Sequence, residues 1–249
     1  MGLTGAGGGI LAVPLLVFGL HMTVPQAGPI GLMAVGLAAA IGAILGLKAK
    51  EVRYRAALLI AGAGVVTAPG GVWLAQRVNT EYLGVLFGFV LLFVGYKSYR
   101  QATQPESAKD GNHDVDLPCI RNMQSGRFIW TAKCAHALTL SGALAGLLSG
   151  LLGVGGGFVM VPALERYTDL VTKSIISTSL AVIALISLFG VAASISTGNF
   201  NFEVGLPFAL GAGGGMLGAR WLSAYLPSHV LKKTFAAICV AVAAGLMFK

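Results

Sequence analysis

Residues 153–164 read GVGGGFVMVPAL, and residues 5–16 read GAGGGILAVPLL. Glycine admits backbone conformations closed to other residues and leaves its amide uncovered. Three consecutive glycines inside an apolar stretch should therefore break a helix. The resumed half-helix then starts with unpaired N–H groups and a partial positive charge, which suit an anion. No GK[ST] follows, so neither copy is a phosphate loop. Packing glycines that bind nothing are the competing reading.

The two copies lie 148 residues apart. Held without gaps, that offset aligns residues 2–99 with 150–247. Twenty of the ninety-eight positions are identical, against roughly a tenth expected from so biased a composition. Nine fall in residues 2–16; later ones include Leu32/Leu180, Gly42/Gly190, Trp73/Trp221 and Phe87/Phe235. One register kept through several helices and loops points to duplication. An apolar lead-in, 135–152, precedes Gly153 but has no counterpart before Gly5. The expectation is that the first repeat lacks one helix.

Composition agrees. Of 249 residues, 56% are hydrophobic and 10% charged, and the mean hydropathy is +0.81. Soluble domains carry about 25% charged residues, so a water-soluble enzyme is excluded. Apolar stretches occupy 8–20, 24–47, 56–75, 83–96, 135–164, 174–195, 204–226 and 230–248. A crossing helix needs about 20 apolar residues, and lipid demands that every backbone group be satisfied internally. The fold expected is an all-α polytopic membrane protein. It divides into a first repeat (1–100), a polar cytoplasmic linker (101–133) and a second repeat (134–249). Pro69-Gly70 is expected to bend its helix. The N-terminus lacks the basic region of a signal peptide, and Ala6 breaks the myristoylation pattern.

Charge orients the repeats. KAKEVRYR at 48–55 carries Lys48, Lys50, Arg53 and Arg55, whereas its counterpart at 196–203 has no Lys or Arg. The turn at 76–82 has only Arg77, whereas its counterpart is flanked by Arg220, Lys232 and Lys233. Positive charge marks the cytoplasmic side, so the repeats should be inverted. Segment 135–164 would then enter and leave on one side, bent at 153–157. Two parallel repeats of four crossings are the alternative. Cys119, Cys134 and Cys239 fit no metal spacing and no even disulfide set, so no metal and no disulfide are expected.

ISTSL at 176–180 places Ser177, Thr178 and Ser179 at one level of a helix. Hydroxyls there would replace water around an oxyanion, or bond their own backbone. Thr4 and Ser149 flank the glycine motifs. Trp73 and Trp221 read as interfacial anchors, and Arg220 as a snorkelling cation. Glu165, Arg166 and Asp169 read as a solvated rim, and Glu203 as a weak candidate for proton coupling. His136 has no second ligand nearby in sequence, so a metal site is not expected. No nucleophile–base pair, nucleic-acid motif or cofactor fingerprint is present.

With its paired GAGGGILAVPLL and GVGGGFVMVPAL, and ISTSL after the second, the sequence resembles the sulfite exporter TauE/SafE family. This group is also called the toluenesulfonate uptake permeases. The resemblance spans nearly the whole chain outside the linker. It implies a multi-pass permease of the bacterial inner membrane with sulfite or organosulfonate cargo, no cofactor and no nucleic-acid partner, and leaves a homo-oligomer open. The motif carries the candidate site onto Gly5, Gly7, Gly8, Gly9 and Pro14, and onto Gly153, Gly155, Gly156, Gly157, Pro162, Thr178 and Ser179. The function expected is export of a small sulfur-containing anion by alternating access. The alternatives are an uptake permease for sulfonates or another small solute on the same fold, and a membrane scaffold subunit without transport.

Overall fold

A computed structural model describes residues 10–103, 119, 131–196, 198, 200, 202–223 and 228–247. Among them the chain forms nine helices: α1 (Ala12–Gly19), α2 (Val24–Lys48), α3 (Tyr54–Arg77), α4 (Thr80–Thr103), α5 (Ala132–Leu152), α6 (Gly157–Tyr167), α7 (Thr172–Ser196), α8 (Phe202–Ser223) and α9 (Ser228–Met247). By length and composition, α2, α3, residues Glu81–Arg100 of α4, α5 and α7 qualify to cross a membrane. Large apolar side chains such as Leu58, Val66, Phe89, Phe93, Leu140, Leu188 and Leu210 point outward. Patches of that extent are not tolerated in water; here they form the lipid-facing surface.

Helix ends follow local chemistry. Pro25 sits in the first turn of α2, where its missing N–H is not needed. At the start of α5, the Thr131 hydroxyl accepts from the Cys134 amide at 3.2 Å. α5 stops at Gly153, which takes φ +72, the left-handed conformation that favours glycine. α3 continues through Pro69.

The bundle has two ends. At one, Ala56, Ala57, Cys134, Leu138, Met160, Leu164 and Ile175 pack together. This joins the starts of α3, α5 and α7 to the end of α6. At the other, Leu16, Val24, Ala75, Leu83, Leu152 and Ala243 meet. Lys48, Lys50, Arg53, Arg55, Lys133, Arg166 and Lys173 belong to the first end, here called the basic face; Arg77 is at the opposite face, its guanidinium 4.1 Å above the Trp73 ring.

Small residues set the closest approaches. Gly142, Gly146 and Gly150 line one stripe of α5, and a Cβ on them would strike the backbones of Ile60, Gly64 and Ala68 of α3. Such four-residue spacing of small residues lets helix backbones touch, with van der Waals packing as the driving force. Across the seam the Thr67 hydroxyl donates to the Ala143 carbonyl at 2.8 Å. α2 and α7 pack antiparallel through the middle of the molecule. A Cβ on Gly36 would fall 2.7 Å from the Ser187 Cβ, and one on Gly46 2.8 Å from the Ser177 Cβ.

The expectation of three unpaired cysteines is corrected. Cys119 and Cys134 form a disulfide, while Cys239 is free and buried. Sequence spacing gave no sign of it, because Cys119 and Cys134 meet only through packing at the basic end of the bundle. There Cys119 also forms a bridge to Thr168, and its carbonyl accepts from the Asp169 amide at 3.4 Å. Cys119 thus ties the start of α5 to the end of α6. The bridged residues are 15 apart, a loop length for which cross-linking is worth about 3 kcal/mol. Cys119→Ser, or reduction, should lower the thermal midpoint of the detergent-purified protein. An unchanged melt would show that the bridge carries no stability.

Candidate functional site

The site is built on the glycine stretch between α5 and α6. Gly153, Gly155 and Gly156 have φ of +72, +80 and +66. The Gly153 amide donates to the Ser149 carbonyl, and the Val159 and Met160 amides to the Gly156 carbonyl. Among the described residues, the amides of Gly155, Gly156, Gly157 and Phe158 have no partner. Successive free amides beside a helix start form an anion-binding concavity.

The surroundings are close. A Cβ on Gly153 would run into the Gly28 backbone of α2, and one on Gly156 would lie 2.5 Å from the Ala145 carbonyl. At Gly155 a Cβ would lie 2.6 Å from Val35 Cγ1, 3.0 Å from Ile183 Cγ2 and 3.5 Å from Ser187 Oγ. Val35 and Ser187 lie near the middles of α2 and α7, so Gly155 reaches toward mid-depth, while Gly153 lies beside Gly28, about one turn inside the start of α2. All five residues 153–157 are buried.

The carried-over residues are distributed unevenly. Gly5, Gly7, Gly8 and Gly9, with Thr4, lie outside the described residues. Pro14 is buried in α1. Gly157 opens α6, and Pro162 lies within it. Pro162 lines a groove of about 860 Å³ between α4, α5 and α6, whose wall includes Phe93, Leu144 and Phe158. The side chains of Arg220 and Trp221 also lie outside the described residues.

The hydroxyls of 176–180 are placed elsewhere. Thr178 is about 13 Å along α7 from Ser187, at 1.5 Å per residue. Its Oγ1 accepts from the Arg53 amide at 3.1 Å. Ser177 Oγ donates to Glu51 Oε2 at 3.0 Å, and Ser174 Oγ donates to the Glu51 carbonyl. Ser179 Oγ donates to the carbonyl of Ile176 at 2.8 Å. These bonds fasten the 51–53 loop to the start of α7 at the basic face.

A second feature opens on the opposite face. Met22, Pro25, Gln26, Gln76, Phe200 and Glu203 line a cavity of about 960 Å³. Pro25 and Gln26 stand one turn of α2 or less from Gly28, which touches the break.

The model of one family, Sulfite exporter TauE/SafE, matches residues 1–246. The chain belongs to the TauE/SafE family. Relatives agree with the assignment. A protein of Xylella fastidiosa, named "Probable membrane transporter protein", is 32% identical over 98% of this chain and 88% of its own length. The Bacillus subtilis protein named "Probable membrane transporter protein YunE" is 27% identical over 87% of this chain and 81% of its own. A Magnetospirillum gryphiswaldense relative, "Probable membrane transporter protein MamO", is 29% identical over 97% of this chain but only 42% of itself. No solved structure matches. This TauE/SafE chain is therefore a multi-pass membrane transporter and not an enzyme.

Two hydroxyls near the glycine stretch lie outside the motif itself. Ser187 Oγ and Ser149 Oγ are both buried and have no hydrogen-bond partner among the described residues. Ser149 was noted as flanking the glycines. Ser187 had one signal in the sequence: it is the lone hydroxyl in IALISLFG at 183–190.

Proposed function

We propose that the protein exports a small sulfur-containing anion, such as sulfite or an organosulfonate, across the bacterial inner membrane by alternating access. The observation that carries this reading is the glycine stretch at 153–157, where four amides have no partner among the described residues and Gly155 lies against Val35 of α2 and Ile183 of α7. Irregular backbone at membrane depth is tolerated where it meets a ligand or cavity, and transporters place their sites at broken helices near the midplane.

An inverted repeat is supported by position and contact. α2 and α7 begin 148 residues apart, as do α3 and α8, and α4 and α9. A Cβ on Gly42 would lie 2.8 Å from Leu180 Cδ1, and one on Gly190 3.1 Å from Leu32 Cδ1. Leu32 and Leu180, like Gly42 and Gly190, are counterparts at the same offset. Such reciprocity is the mark of a two-fold relation. By that relation α5 and α6 form a hairpin that enters and leaves at the basic face.

Positive charge assigns the basic face to the cytoplasm. Lasting disulfides favour oxidising compartments, so Cys119–Cys134 votes the other way. The charge bias weighs more, because it sums many separate residues. In that orientation the vestibule with Gln26, Gln76 and Glu203 opens outward. The bonds from Glu51 and Arg53 to α7 then close the cytoplasmic side, and would have to break when the transporter turns inward.

The test is flux in proteoliposomes, with orientation read by labelling a cysteine introduced at Gly198 with an impermeant maleimide. Sulfite and methanesulfonate should move, and faster out of the basic-face side. Absence of flux for every sulfur oxyanion would favour the scaffold alternative, and faster flux toward the basic face would favour uptake.

A further inference from the structure

We infer that Ser187 is the side-chain ligand of the anion, and that the site accepts a singly charged oxyanion in preference to a doubly charged one. The inference rests on the transport reading above. It begins from an anomaly: the Ser187 hydroxyl is 1% exposed and has no partner among the described residues. Leaving a buried hydroxyl unsatisfied is unfavourable, so a lone hydroxyl in the apolar stretch 183–190 of α7 needs another reason. Its oxygen lies 3.5 Å from where a Gly155 Cβ would be, beside the stretch whose amides at 155–158 have no partner among the described residues. An oxygen held by the Gly155–Phe158 amides would have Ser187 as a further donor.

The charge of the ligand follows from what surrounds this place. α2 has no ionisable side chain between Val24 and Leu47, α3 none between Ala56 and Gln76, and α5 none between Ala137 and Leu152. α7 has none between Ser174 and Ser196, and α1 none at all. On α6 the nearest are Glu165 and Arg166, at its far end. Among the described residues the positive potential is thus limited to neutral donors and the start of α6, equivalent to about half an elementary charge. That suffices for one negative charge. A second would be desolvated with nothing to compensate it, and uncompensated buried charge is strongly disfavoured. Sulfite acquires a proton near neutral pH and becomes a monoanion; sulfonates are monoanions throughout; sulfate remains a dianion.

The full chain in proteoliposomes tests this with three probes over a pH series: sulfite, methanesulfonate and sulfate. Sulfite flux should rise as pH falls, methanesulfonate flux should stay flat, and sulfate should not move. Equal pH dependence for methanesulfonate would mean that the protein titrates, and sulfate flux matching sulfite would mean that charge is not selected; either overturns the inference. Ser187→Ala should slow methanesulfonate about tenfold or more, the value of one hydrogen bond to a charged group. The same variant should melt no lower than the parent, because an orphaned hydroxyl is removed. A well-folded Ser187→Ala protein with parental flux would overturn the role of Ser187 while leaving the transport reading intact. No flux of any probe in the parent would remove both.

Discussion

Gly155→Ala is expected to insert, fold and lose most of its transport. At φ +80 an alanine costs about 1–2 kcal/mol, which a folded protein survives. Its Cβ would meet side chains, Val35 Cγ1 at 2.6 Å and Ile183 Cγ2 at 3.0 Å, and these give way by small shifts. The methyl would occupy the space beside Ser187 and the free amides, where the anion is proposed to sit. Gly155→Val should behave likewise and more severely, and still insert, because valine adds no polar group to lipid. Gly153→Ala and Gly156→Ala differ in kind. Their Cβ atoms would meet backbone, at Gly28 and at the Ala145 carbonyl, which no rotamer relieves. Each should cost about 4 kcal/mol or more and lose the fold. The measurement is monodispersity in detergent beside methanesulfonate flux. Parental flux in a folded Gly155→Val protein would refute the anion site. Equal loss of fold in all three alanine variants would reduce the glycines to packing residues.

Gly146→Leu is expected to abolish assembly of the bundle while leaving the helices inserted. A Cβ there would strike the Gly64 carbonyl and approach the Gly64 Cα and Thr67 Oγ1 at 2.5 Å each. It would also displace the Thr67–Ala143 hydrogen bond. Overpacking usually costs 1–3 kcal/mol, and more where the obstacle is backbone. Aggregation in detergent with unchanged membrane content is the outcome to look for. Leu140→Ala, on the outward face of the same helix, should change stability by less than about 0.5 kcal/mol. A monodisperse Gly146→Leu protein would show that α3 and α5 have room to separate.

Much of this protein is written along its chain. Apolar stretches bounded by charge mark the helices, since lipid leaves a buried backbone few alternatives; 24–47 and 174–195 fall within a residue or two of α2 and α7. Glycines before an apolar run mark the break at 153–157, because only glycine takes φ near +70 without strain. What the sequence left undecided depends on which helices meet. The hydroxyls at 177–179 look like ligands in one dimension, yet the turn of α7 and the approach of the 51–53 loop engage Ser177 and Thr178, and Ser179 donates to its own helix. Ser187 looks unremarkable until antiparallel packing of α2 and α7 sets it beside Gly155. Cys119 and Cys134 showed no recognisable spacing, and became partners only through packing at the basic face. Local chemistry determined where the chain is helical and where it breaks; long-range packing alone decided which polar groups are satisfied there and which have no partner among the described residues.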